Sequence, residues 1–135
     1  MEIGINIDPS ARLVTYALDH LPTPDETRGF FDALLSHPAY GPGYAVLGDC
    51  RRLRADPDAA SIRAFAREVR NRANELEPCK WAILSTTACG FAAVRLVSVL
   101  TYGSWVEFAP FLTPAEAEGW LGVGSPAVRN VVLDS

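Results

Sequence analysis

Lysine is nearly missing from this chain: Lys80 stands alone among twelve basic residues, the other eleven being arginine. Sixteen acidic residues outnumber them, so the formal charge is -4 and the pI about 5.1. That balance argues against general adhesion to nucleic acid or to acidic membranes. No apolar run approaches the roughly 20 residues that span a bilayer. The opening "MEIGINIDPS" also lacks the basic region and apolar core of a secretory signal. Three cysteines, Cys50, Cys79 and Cys89, cannot all pair within one monomer, and their wide spacing has no Cys-x-x-Cys signature of a zinc or redox site. A His-Glu-x-x-His pair, a calcium loop and a phosphate-cradling glycine motif are all missing. These absences lead to the expectation of a cytoplasmic protein with no metal, no cofactor and no integral membrane association.

What is present is enough apolar material for one core. With 135 residues, 49% of them hydrophobic, the chain suits a single domain of two or three layers. "EIGINID" and "ARLVTYALD" read as two strands flanking the turn residues Asp8-Pro9-Ser10, and an antiparallel pair is expected. Thr23-Pro24-Asp25-Glu26 supplies an N-cap, a proline at the first helical position and a glutamate at the third, predicting a helix to about His37. "GYAVLGD" reads as a buried strand ending at Asp49. An amphipathic helix follows an expected Asp56-Pro57 cap, because Ile62, Phe65, Ala66, Val69, Ala73 and Leu76 recur at three- and four-residue intervals. "KWAILST" is a further strand and "ACGFAAVRLVSVLTYG" a largely buried helix whose small first residues permit close backbone approach. "SWVEFA" is the last strand, and Thr113-Pro114-Ala115-Glu116 repeats the capping pattern before a short helix.

After the initial pair, strands alternate with helices, which favours an α/β sandwich with a mixed sheet of about five strands and about four helices. The domain is expected to run over residues 1–121. The tail from residue 122, with Val128, Val131, Val132 and Leu133, is expected to dock on the domain or to lie at a dimer interface.

Several short pieces together resemble the STAS family, and in particular its SpoIIAA-like bacterial proteins. They are the initial strand pair, His37-Pro38 ahead of Tyr44-Ala45-Val46-Leu47-Gly48-Asp49, Arg51-Arg52-Leu53 at the strand exit, Trp81-Ala82-Ile83-Leu84, Gly90, Arg95, Val106-Glu107-Phe108, and Glu116 through Leu121. The resemblance implies a non-enzymatic regulatory or protein-interaction module that presents its strand-to-helix region to a partner. In phosphorylated antagonists that region looks like an Asp-Ser motif. Here Cys50 follows Asp49, so the serine that would carry phosphate at the matching position is replaced by a thiol.

The candidate recognition surface is the strand exit Asp49, Cys50, Arg51, Arg52 and Arg54, continued along the helix by Arg63 and Arg67. Residues 51 to 72 hold seven arginines against Asp56, Asp58 and Glu68, a local charge of +4 in an acidic chain. Arginine pairs its hydrogen bonds on oxyanions, so an unidentified acidic protein or a small anionic ligand is the expected partner, and nucleic acid is not. The same residues also suit an ordinary solvated helix face, their stems covering the edge of the core. Tyr40, Tyr102, Trp105 and Phe111 form a candidate apolar rim for a lipid-like ligand or a partner segment, or simply pack in the core. A weak symmetric homodimer would cover such apolar area. The contrasting class is an enzyme using a Cys50 thiolate with His20 or His37 as base, or the Asp49 and Glu107 carboxylates as an acid-base pair.

Overall fold

A computed structural model describes residues 3–122, so the tail expected to dock or to meet a second copy lies outside the described residues beyond Gly122. β1 (Ile5–Asp8) and β2 (Leu13–Ala17) form the expected antiparallel pair, from Ile5 opposite Tyr16 to Asp8 opposite Leu13. Between them the Asp8 carboxylate accepts from the Ser10 hydroxyl and from the backbone of Ser10 and Ala11, which closes the turn. α1 (Pro24–Ser36) begins with a complete capping box: the Thr23 hydroxyl accepts from the Glu26 N–H while the Glu26 carboxylate accepts from the Thr23 N–H.

β3 (Ala45–Asp49), β4 (Cys79–Leu84) and β5 (Val106–Phe111) add in sequence order, each parallel to the strand before it, giving a sheet ordered β1-β2-β3-β4-β5. The crossovers are α1, α2 (Ala59–Asn71) with α3 (Ala73–Leu76), and α4 (Ala88–Leu100); α5 (Pro114–Leu121) closes the domain. Five helices replace the expected four, because Arg72 leaves helical geometry at φ -111 and ψ 9 and splits the amphipathic run in two. The cap of α2 is Asp58, not Asp56: its carboxylate accepts from the Ser61 N–H at 2.7 Å. The last strand starts two residues later than expected and runs through Pro110. Odd-numbered β5 residues face β4, with the Trp105 and Phe111 carbonyls accepting from Cys79 and Ser85, so the nitrogen of Pro110 points to the open edge.

Side chains of alternating direction divide the core in two. On one face Val14, Tyr16, Val46, Trp81, Ile83, Val106 and Phe108 meet α1, α2 and α4. On the other, Leu13, Leu47, Ala82 and Leu84 meet Ala117 and Leu121 of α5. α4 is less buried than its composition suggests: Ala93, Val94 and Val97 are buried, while Leu96 and Val99 face outward. No helix among the described residues is long and apolar enough to cross a membrane.

Trp81 lies at the centre of the larger core, at 0% exposure, with the rings of Tyr16, Phe30, Phe31, Phe65 and Phe108 around it at centroid distances of 5.1 to 6.2 Å. Its indole N–H donates to the Tyr16 hydroxyl at 3.0 Å. Gly48 opens the space for that hydroxyl, since a Cβ there would collide with the Tyr16 phenol. Two substitutions test this arrangement in chemical denaturation. Gly48→Ala overpacks the site and should cost about 1–3 kcal/mol. Tyr16→Phe leaves the buried indole N–H without its acceptor and should cost a similar amount, about 1–3 kcal/mol. Stability within a few tenths of wild type in both variants would show that the pair contributes nothing.

Candidate functional site

The parallel strands β2, β3 and β4 end side by side, and the loops leaving them enclose a half-open cleft of about 130 Å³. Tyr16, Phe65 and Ile83 line its inner end, and Tyr16 and Phe65 are the same rings that contact Trp81. Leu18, Leu21 and Pro22 come from the β2 exit, Ile62 from α2, and Ala93, Val94 and Val97 from α4. The mouth is polar, with Arg51, Asp56 and Ser61 on one side and exposed Thr86 and Thr87 on the other, while Ser85 of the same lining is buried. Parallel-sheet architecture explains the position, because each strand hands its chain to a helix at this end and the loops must diverge around the helix starts.

The strand exit that carries the arginines is largely self-satisfied. Arg51 grips Asp49 through two parallel bonds, Nε to Oδ1 at 2.9 Å and Nη2 to Oδ2 at 2.8 Å, and its backbone N–H adds a third at 3.0 Å. Burial pushes the Asp49 carboxyl up, but those Arg51 bonds outweigh it and hold the group below its ordinary range. Arg51 is correspondingly held in its charged form by Asp49. Asp49 and Glu107 do not meet: Asp49 aligns with Leu84 and Phe111 at one end of the sheet, and Glu107 with Lys80 nearer the other.

Cys50 is half-buried, packs against the larger core and lines the cleft. Burial, with the Asp49 charge adding to it, pushes its thiol up to about 12, which keeps it protonated at neutral pH and unreactive as a nucleophile. His20 and His37 do not line the cleft. His20 bonds Asp19 at 2.8 Å and Glu26 at 3.3 Å, tying the β2 exit to the cap of α1. No group of three or more metal-ligating side chains is assembled among the described residues.

Arg52, Arg54, Arg63 and Arg67 are exposed, and none has an ion pair within bonding distance among the described residues. The proposed rim does not form one surface. Phe111 packs on Trp120 beneath α5 at 5.5 Å, on the opposite face of the sheet from α4. Tyr40 packs on Tyr44 at 5.5 Å with its hydroxyl buried. Tyr102 and Trp105 are 86% and 73% exposed where α4 passes into β5, and the Trp105 N–H donates to Glu77.

Ser85, Thr86 and Thr87 line the cleft without having been expected there, since the pattern "KWAILST" extends a strand through Ser85 and Thr86 and leaves Thr87 between it and the helix. A polar triplet directly after an apolar strand, with Gly90 three residues past Thr87, is the local signal, since Thr87 caps α4 by accepting from the Gly90 N–H at 2.9 Å.

No family model matches the sequence, and no curated protein matches it significantly. Among solved structures, an uncharacterised protein of the DUF3478 family with a SpoIIAA-like fold, from Shewanella loihica PV-4, aligns with a TM-score of 0.62 over 88% of this chain and 91% of its own at 19% identity. The chain therefore has the SpoIIAA-like fold that its short sequence pieces resembled. At that identity the likeness speaks for the fold alone.

Two measurements follow from the titrating groups. A thiol reagent at neutral pH should label exposed Cys89 quickly, half-buried Cys50 far more slowly because its thiol stays protonated, and buried Cys79 only on unfolding, as peptide mapping would show; Cys50 labelling as fast as Cys89 would contradict the raised thiol. The bonds from Asp19 first, and then Glu26, raise His20 above its ordinary 6.5, so its contribution to stability is present at lower pH and is lost as pH rises through the folded-state value. Thermal midpoints should therefore fall from about pH 6 to about pH 9 more steeply in wild type than in His20→Asn, and parallel curves would remove His20 from the account.

Proposed function

We propose that this protein is a non-enzymatic regulatory module that binds a small, mainly apolar ligand in the cleft at the ends of β2, β3 and β4. The observation behind this reading is the cleft itself: an apolar interior, convergent polar groups at the mouth, and a position at the carboxyl ends of parallel strands. A protonated Cys50 without a histidine beside it, and an Asp49 held by Arg51, support binding over covalent or acid-base chemistry. The volume suits a compact group. It is a little under the about 150 Å³ of an engineered cavity that holds benzene, so one ring or a short branched chain fits inside, with any further atoms emerging through the open side.

A second reading concerns the exposed arginines. Arg52, Arg54, Arg63 and Arg67 are exposed on the β3–α2 loop and α2, the segments whose Arg51, Leu53, Ser61 and Ile62 line the cleft, and they suit an acidic protein that reads whether the cleft is filled.

Protein-observed NMR with a panel of single-ring and short-chain probes tests the first reading. Amides of Ile62, Phe65, Ser85 and Val94 should shift together and saturably, and Ala93→Leu, which fills the cleft, should abolish the shifts. Probes that move no cleft amide would overturn it. The arginine surface is tested by calorimetry with a polyglutamate chain at low salt: heat in wild type should disappear when all four arginines become Gln. Equal binding by that variant would remove the surface from consideration.

A further inference from the structure

The cleft is apolar at depth, where two buried hydroxyls donate to no described residue: that of Tyr16, which accepts from the Trp81 indole N–H, and that of Ser85, which alone of the two stands beside a helix start. Ser85 is 6% exposed, and its only hydrogen bond among the described residues is one it accepts, from the Thr87 N–H at 3.4 Å. Its hydroxyl proton is donated to no described residue, although a buried hydroxyl ordinarily finds an acceptor. The oxygen lies against the first turn of α4, so close that a Cβ on Gly90 would collide with it, and Ser85 and Gly90 both line the cleft.

The surrounding field selects the kind of acceptor. α1 and α5 carry acidic residues in their first turns, and α2 is capped by Asp58. α4, a 13-residue helix, has a neutral threonine cap and no acidic residue in its first turn, so the positive end of its dipole is uncompensated there. Asp56, the acidic residue of the mouth, belongs to the opposite loop. A donor hydroxyl and an uncompensated helix start on the same side of an apolar cleft favour a ligand with an anionic oxygen at one end.

We infer that the cleft takes a small carboxylic acid with a compact apolar body, its carboxylate accepting from the Ser85 hydroxyl at the start of α4 and its ring or branched chain lying against Ile62, Phe65, Ile83 and Val94. This rests on the cleft being a ligand site and specifies what occupies it. Charge and shape act separately, so they can be tested separately.

Calorimetric and NMR titrations with sodium benzoate, sodium isovalerate and neutral toluene compare the two. Benzoate should bind about tenfold more tightly than toluene, with shifts centred on residues 85–90. Ser85→Ala should remove most of that advantage, about tenfold for benzoate, and leave toluene unchanged. Cys89→Asp, an exposed change that places a carboxylate in the first turn of α4, should weaken benzoate and isovalerate severalfold without affecting toluene, and it keeps the test open if Ser85→Ala folds poorly. Toluene binding as well as benzoate, or an acid preference that survives both variants, would overturn the carboxylate while leaving the cleft a ligand site. Failure of all three probes to bind would overturn the cleft reading and this proposal together.

Discussion

Trp81 sets the spacing of the larger core. It stands on β4, with parallel neighbours on both sides, and its ring is too large to be covered by any one helix. α1 therefore brings Phe30 and Phe31, α2 brings Phe65, and β5 brings Phe108, so that one side chain holds three elements at a common height above the sheet. Its single polar atom has to be satisfied within this apolar setting. The Tyr16 hydroxyl does so, and Gly48 is the vacancy that lets the phenol reach. Toward the carboxyl ends of the strands the packing residues become smaller, Ile83, Ala93, Ser85 and Gly90, while the helices stay at the height the aromatics impose. The cleft is the space left over between those two requirements.

Local signals were the most readable part of the sequence. Thr23 to Glu26 and Thr113 to Glu116 each specify a helix start within four residues, and both caps form with the hydroxyl accepting from the third helical N–H. The three- and four-residue spacing of Ile62, Ala66 and Val69 likewise places the buried face of α2. Features that depend on neighbours were harder to read. The break at Arg72 accompanies an ion pair with Asp32 of α1 at 2.9 Å, a partner forty positions away in the chain. Asp56 and Asp58 both precede an apolar helix, and only the path of the loop decides which carboxylate reaches the first turn. α4 looked like a buried helix because its residues are apolar all round, yet Leu96 and Val99 have no described element packed over them.

The candidate site divides along the same line. The arginine-rich strand exit is visible in sequence as charge, but sequence does not show that Arg51 folds back on Asp49 in two parallel bonds. That pairing turns the most prominent charges of the motif into a clasp on the strand end, and leaves Arg52, Arg54, Arg63 and Arg67 to face solvent. Cys50, next to Asp49 at the strand end, packs against the larger core instead of facing outward. The Ser85 side of the cleft is assembled by β4 and α4 alone, within six residues, yet it becomes a site only because α2 and the β2 exit stand opposite.

Pro110 bears on how this protein meets others of its kind. A parallel sheet with an unpaired margin is a template: each free amide along it invites another extended chain, and repeated addition ends in fibrils. On β5 the amide that would have faced outward at position 110 does not exist, so an incoming strand loses one of the three outward amides, at 106, 108 and 110, of a six-residue strand. Recruitment through main-chain pairing is thereby discouraged at this margin, and contacts there must rely on the chemistry of side chains. A domain that displays Trp105 and Tyr102 close to the start of the same strand can keep those rings at its surface without offering a continuous backbone for growth beside them.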